Sequence, residues 1–145
     1  SEARNIGIKR AIGKYVVNID ADDYISENLL LIESAFLEQH KEWDAVSCDY
    51  DLIDDGGNVL EVKSGKEEPI ACGIMFNKDK LFDIGLYDPE FKAMEEKELR
   101  QRFESKYRIE NIGLSLYRYR KHGNNLTNNT KKVEHYSKLL EDKNR

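Results

Sequence analysis

The sequence predicts an α/β fold, a sheet with helices flanking it, and three observations carry that prediction. First, Tyr15, Val16, Val17 and Ile19 form a short apolar run without clean polar alternation. Such a run reads as a strand covered on both faces, as in a parallel sheet. Second, Val46, Cys48, Tyr50 and Leu52 alternate with Ser47, Asp49 and Asp51, the period of a half-buried strand. Third, Leu29, Ile32, Phe36 and Leu37 fall on one face of a helix. At 145 residues the chain suits one domain with a real core.

In chain order, residues 1–13 read as a helix closed by Gly13 at its C-terminal cap, feeding the strand at 15–19 directly. A parallel strand needs partners, and a chain that opens on a helix has not yet supplied any, so this chain is expected to begin part-way through a fold. Ser26 is the expected N-cap of the next helix, which runs to about His40, with Glu27 favourable in its first turn. After the strand at 46–52, Asp54-Asp55-Gly56-Gly57-Asn58 is a turn signal, and 59–63 returns as the second strand of a hairpin. Residues 64–69 form a polar loop. A short strand is expected at 73–76, then a helical turn over 77–82. Gly85 and Pro89 make 85–91 a loop, 94–105 a helix, and 108–120 one or two strands broken near Gly113. A polar loop over 122–130 precedes a C-terminal helix at 131–142, giving a main unit at 1–127 and a polar segment with a helix at 128–145.

Composition narrows the function classes. Charged residues make up 35% of the chain and hydrophobic ones 39%, with net charge −5 and both signs interleaved. No basic block exists to neutralise a phosphate backbone, so nucleic acid is not an expected partner. Cys48 and Cys72 lie far apart without a CxxC, which argues for two reduced thiols in a cytoplasmic protein. No apolar run approaches the ~20 residues of a membrane span, and no signal-peptide pattern is present. Peripheral placement at the inner face of a membrane stays open. The glycosylation-type matches at Asn125 and Asn128 are read as coincidence.

Asp20-Ala21-Asp22-Asp23 follows the first strand, and ligand chemistry in open α/β sheets gathers at carboxyl ends of strands. Two carboxylates so spaced suit Mg²⁺ or Mn²⁺, hard ions that neutralise charge on a diphosphate. A bare D-x-D is more often a solvated loop. An EF-hand would need Gly at Ile25 and Glu at Leu31, and neither is present. A dehalogenase-type phosphatase also places D-x-D after a strand, but Asp23-Tyr24 follows the second acid here, where that class wants a small residue and then Thr or Val. On the 94–105 helix, Glu96 shares a stripe with Leu99 and Phe103, while Glu98 is expected on the wet side, paired with Arg102. A carboxylate in a first helical turn is favoured in its ionised form, as a general base requires. Acid-rich first turns are also commonplace. His122 is a third candidate, although a lone histidine is more often a surface residue than a ligand.

Four stretches together resemble a family-2 glycosyltransferase of the GT-A fold. They are Ala3-Arg4-Asn5-x-Gly7-Ile8-x-x-Ala11-x-Gly13-x-Tyr15 with Asp20-Ala21-Asp22-Asp23; Asp49-Tyr50-x-x-Ile53-Asp54-x-x-Gly57; Gly85-x-Tyr87-Asp88-x-x-Phe91 with Glu95-Glu96-x-Glu98-Leu99-x-x-Arg102; and Tyr117-Arg118-Tyr119-Arg120-x-His122-x-Asn124. The resemblance covers about residues 1–127 and implies a partial GT-A fold, a mixed sheet with flanking helices whose first βαβ units would lie before Ser1. It implies transfer of a sugar from a nucleotide-sugar donor, a UDP-sugar, to the hydroxyl of a sugar or glycan acceptor, with inversion and with Mn²⁺ or Mg²⁺. By the same resemblance Asp22 and Asp20 are the metal ligands. Arg4 and His122 join them on the donor side, and Glu96 is the base. The family usually has Asp at that last position, which keeps Glu95 as a rival. Two other readings stand beside this one: a non-catalytic module that self-associates through an exposed sheet edge, and the phosphatase.

Overall fold

The computed structural model describes residues 2–91, 94–122 and 130–143. Its elements are α1 (Glu2–Arg10), β1 (Tyr15–Val17), β2 (Tyr24–Ile25), α2 (Leu29–Gln39), β3 (Ala45–Ile53), β4 (Val59–Lys63), β5 (Met75–Asn77), α3 (Lys78–Asp83), α4 (Glu95–Glu104), β6 (Ile109–Arg120) and α5 (Thr130–Lys143). One mixed sheet runs in the order β1-β5-β3-β6-β2, with β4 paired to the C-terminal half of β3. Only β3 and β6 run parallel among the described pairs; the others are antiparallel.

Strand β3 organises the two cores because successive side chains point to opposite faces. Ala45 joins Phe76, Leu81, Leu99 and Phe103 beneath α3 and α4. Val46 joins Leu37 and Met75, and Cys48 and Tyr50 join Leu29, all on the α2 side. The expected half-buried alternation fails at the start of the strand, where Ala45 to Cys48, Ser47 included, are all buried, and appears only over Cys48 to Tyr50. A register shift between Leu52 and Ile53 then moves burial onto Ile53. Gly113, with φ 63°, sits in β6 where the register against β3 slips, so the expected break is a bulge inside one twelve-residue strand.

Several expectations are corrected. β1 pairs antiparallel with β5, not in parallel, and ends at Val17 because the Asn18 carbonyl turns to accept the Gly73 amide. α1 stops at Arg10, and Gly13 keeps an ordinary backbone beyond it rather than a left-handed cap. Asn28, not Ser26, occupies the N-cap position of α2; the Ser26 hydroxyl accepts from the Asn28 amide one turn earlier. β2 is too short to show a period and was not anticipated. Glu98 does pair with Arg102, but on the buried side with only 3% exposure. Arg102 also donates to the Ile84 and Leu86 carbonyls and draws that loop over the pair. Both cysteines are free and buried, and no described helix is long and apolar enough to cross a membrane. Asn125 and Asn128 lie outside the described residues.

The α2 stripe is centred on Leu29, Glu33 and Leu37 rather than on Ile32 and Phe36. Glu33 is 0% exposed and, beyond the Cys48 thiol beside it, neither carboxyl oxygen has a hydrogen-bond partner. Burial pushes its pKa up to about 9, so the folded protein holds a proton that the unfolded chain releases near 4.5. The folded state thus binds more protons throughout that window, and stability must fall as pH rises from about 4.5 to about 9. We predict that thermal melts show this decline and that Glu33→Gln flattens it. Glu33→Met should raise stability at neutral pH by up to about 3 kcal/mol, since pH 7 lies about 2.5 units above the unfolded value and each unit is worth about 1.4 kcal/mol.

Candidate functional site

The site forms where the loop after β1 meets α1, the first turn of α4 and the end of β6. Tyr117 anchors the acidic loop from below: its hydroxyl donates to Asp23 Oδ2 at 2.7 Å and accepts the Asp20 amide at 3.2 Å. Gly73, with φ 71°, lets that ring approach, since a Cβ there would lie 2.7 Å from it. Asp23 also takes the Arg120 amide at 2.8 Å. Burial raises the Asp23 pKa, opposed by these two donors. Asp23 is therefore the structural acid of the three.

Asp20 and Asp22 face different partners. Asp20 Oδ1 accepts from Arg4 Nη2 at 3.0 Å, and the same guanidinium reaches Glu95 Oε1 at 2.7 Å and Glu96 Oε1. Burial works against the Arg4 charge, but the hydrogen bond and charge of Glu96, with Asp20 behind it, raise its pKa above the ordinary value. Asn5 holds the next wall in place. Its amide donates to the Tyr87 carbonyl at 2.8 Å and accepts the Tyr87 N–H at 3.0 Å. Tyr87 in turn receives the Asn18 side chain at 2.8 Å. Glu95 is 14% exposed at its side chain and Glu96 30%, so Glu96 is the more open of the pair.

Asp22 Oδ2 lies 2.8 Å from His122 Nε2, and His122 Nδ1 lies 2.9 Å from Asp55 Oδ1. Arg120 ties these groups through the backbone: Nε donates to the Asp22 carbonyl, and Nη1 donates to the Asp54 and Asp55 carbonyls. Its guanidinium lies 5.1 Å from the Tyr24 ring centroid.

The donor set has the chemistry of a divalent-cation site, carboxylate oxygens and an imidazole nitrogen. The 2.8 Å spacing of Asp22 and His122 is close to the roughly 2.9 Å edge of an octahedron with bonds of about 2.05 Å. It is also an ordinary N–H···O length, and the oxygen and imidazole donors suit either use. Asp20, Asp23 and Cys72 form a second convergent set, with ligand atoms within 4.8 Å. Burial and the Asp20 charge push the Cys72 thiol up to about 12, so this set offers no ready thiolate.

Of the six residues singled out from sequence, Arg4, Asp20, Glu95 and Glu96 meet in one cluster, and Asp22 and His122 in another. Asn5, Asp23, Asp55, Tyr117 and Arg120 were not singled out. Asn5, Asp23, Tyr117 and Arg120 lie in the stretches that carry the resemblance, and Asp55 in a plain turn signal.

This architecture matches S. aureus TarS (residues 1–349) with a TM-score of 0.68 at 20% identity, covering 82% of this chain and 39% of that one. The fold is a partial GT-A fold. The chain belongs to the family described as Glycosyl transferase family 2, whose profile matches residues 1–103. It is 28% identical over 139 residues, 88% of its length, to an uncharacterized glycosyltransferase of Rickettsia bellii. It is 29% identical over 106 residues to one of Rickettsia felis. It spans about a fifth of these relatives, 20% and 17% of their lengths. Membership in this family displaces the dehalogenase-type reading.

Removing the Arg4 cation leaves three carboxylates facing one another in a partly buried site. Arg4→Met is expected to cost about 1–3 kcal/mol in urea unfolding, with the loss shrinking as salt screens the repulsion. Arg4→Lys should recover only part of it, because an ammonium lacks the planar fork that spans several acceptors.

Proposed function

We propose that this chain supplies the metal and acceptor side of an inverting transfer of a sugar from a UDP-sugar to a hydroxyl of a sugar or glycan acceptor. The observation that carries this is the pairing of the acidic loop with the first turn of α4 across Arg4. Asp22, with His122 beside it, would hold Mn²⁺ or Mg²⁺, and Asp20 lies next to it on the donor side. Such an ion, when bound, neutralises charge developing on a departing diphosphate. Glu96 takes the proton of the acceptor hydroxyl onto its carboxylate as that oxygen attacks the anomeric carbon in a single displacement. Its greater openness favours it over Glu95. Arg4 holds the Glu96 carboxylate in place and can turn toward donor oxygens.

A second reading rests on a separate observation. The outer edge of β1 has no strand partner among the described residues. A groove of about 390 Å³ beside it is lined by Gly7, Ile8, Ala11, Val16 and Val17 among others. In that reading the chain is a non-catalytic module that self-associates through this edge.

Calorimetric titration of the chain with UDP separates the two. Metal-side function predicts heat that requires Mn²⁺, is lost in Asp22→Asn and survives in Glu96→Gln. In the same Glu96→Gln variant, sugar transfer should fall by about 10²–10⁴-fold. A chain that shows no Mn²⁺-dependent heat but elutes as a dimer on sizing supports the module instead.

A further inference from the structure

We propose that the outer edge of β4 is the docking surface for a second copy of this chain, paired antiparallel about a two-fold axis at Val62. β4 pairs with β3 on one side only, and its other edge has no strand partner among the described residues. Its side chains are open too: Val59 is 51% exposed, Leu60 56% and Val62 61%. Branched apolar residues along a free strand edge form a template for pairing with another chain. Edges that must stay single are often blunted with charge, but β4 has no charge to spare. Glu61 and Lys63 cancel, and the Lys63 ammonium already stands 3.0 Å from Glu61 and 3.1 Å from Glu68. This edge is distinct from that of β1, and its residues are none of those gathered at Arg4 or His122.

The charges select a second copy and its register. In an antiparallel pair related by a two-fold axis perpendicular to the sheet, one residue stands opposite its own copy. With Val62 there, Glu61 of each chain faces Lys63 of the other, and the two Val62 side chains meet on one face. Centring on Glu61 instead sets carboxylate against carboxylate, which is destabilising for directly opposed residues. Centring on Leu60 uses the irregular end of the strand: Leu52 pairs with Glu61 and Ile53 with Val59, so the ladder skips Leu60. Residues 61–63 pair one-to-one with β3 and keep a regular ladder. An ammonium has three hydrogens to donate. Lys63 therefore keeps Glu68 and exchanges its own Glu61 for Glu61 of the second copy, and no charge is left unpaired.

The mass by light scattering, followed over about 10 µM to 1 mM as suits a small interface, should rise from that of one chain toward that of two. Glu61→Lys sets lysine against lysine and Lys63→Glu sets glutamate against glutamate, so each variant alone should stay single. Mixed in equal amounts they restore opposite charges at both contacts, and pairing should return. Disulfide trapping reads the register. Directly opposed residues lie about 4.5–5.5 Å apart between Cα atoms, within disulfide reach, so Val62→Cys should cross-link under mild oxidation. Leu60→Cys should not, because the two copies of that residue stand four positions apart, ~14 Å. Cys48 and Cys72 are buried, and the wild type measures their background. The Val62→Cys arm alters an open side chain and stands even if Lys63→Glu loosens the contact with Glu68. A wild type that stays single at the top of the concentration range overturns the proposal and leaves the edge to an unlike strand. A dimer unmoved by both charge variants belongs to another edge and overturns it as well, as does cross-linking at Leu60 in place of Val62. No arm uses metal or nucleotide, so failure here is distinct from failure of the sugar-transfer reading.

Discussion

One guanidinium holds the site together. Arg4 extends from α1 to Asp20 after β1 and to Glu95 and Glu96 on α4, three elements that share no described strand pairing. Each carboxylate alone would keep its distance from the others. With Arg4 between them, the acidic loop and the first turn of α4 are joined through one cation. The segment leading into α4 bears strain to reach this position. Leu86 and Met94 both have positive φ, at 63° and 58°, without being glycine. Such backbone persists only where surrounding contacts over-determine it. Asn5 on the Tyr87 backbone and Arg102 on the Leu86 carbonyl supply those contacts.

How much of this was legible in the sequence depended on whether the signal was local. The bounds of α4 were legible to within a residue from its helical period, but not its facing, since Glu98 is buried and Glu96 is 30% exposed at its side chain. The β3–β4 hairpin appeared because Asp54 to Asn58 is a strong turn. The direction of β1 was not legible. An apolar run says that a strand is covered, not which way its neighbour runs, and the neighbour β5 lies some sixty residues away. Glu33 was passed over because a carboxylate at the centre of a buried stripe breaks the rule by which stripes are found. Glu98 was assigned to water for the related reason that its cover, the 84–86 loop, comes from a different element.

The site shows the same division. Residue types pick out Asp20, Asp22, Glu96 and His122, the resemblance adds Arg4 and Glu95, and the six meet in two clusters, Arg4 with Asp20, Glu95 and Glu96, and Asp22 with His122. Sequence could not assign partners among them. The D-x-D pattern suggested two carboxylates aimed at one ion, yet Asp20 leans to Arg4 and Asp22 to His122. The residues that enforce this split, Tyr117 and Arg120, act largely on backbone groups. A motif made of side-chain identities carries no trace of which carbonyl an arginine will find.

That split has a consequence for a single displacement of the proposed kind. Such a reaction develops negative charge on the leaving diphosphate while a base on the other side of the sugar gathers a proton. Two acids aimed at one cation would leave the base unsupported. In this chain Asp20 shares its arginine with Glu96, and Asp22 pairs with His122, which in the proposed reaction would stand on the diphosphate side. Two acids of one loop, a residue apart, would thereby serve different parts of the proposed reaction. Asp23, tied down by Tyr117 and Arg120, keeps the loop from turning both of them the same way. The order of the three acids is then a mechanical requirement: two that reach out in different directions, and a third that anchors the bend between them.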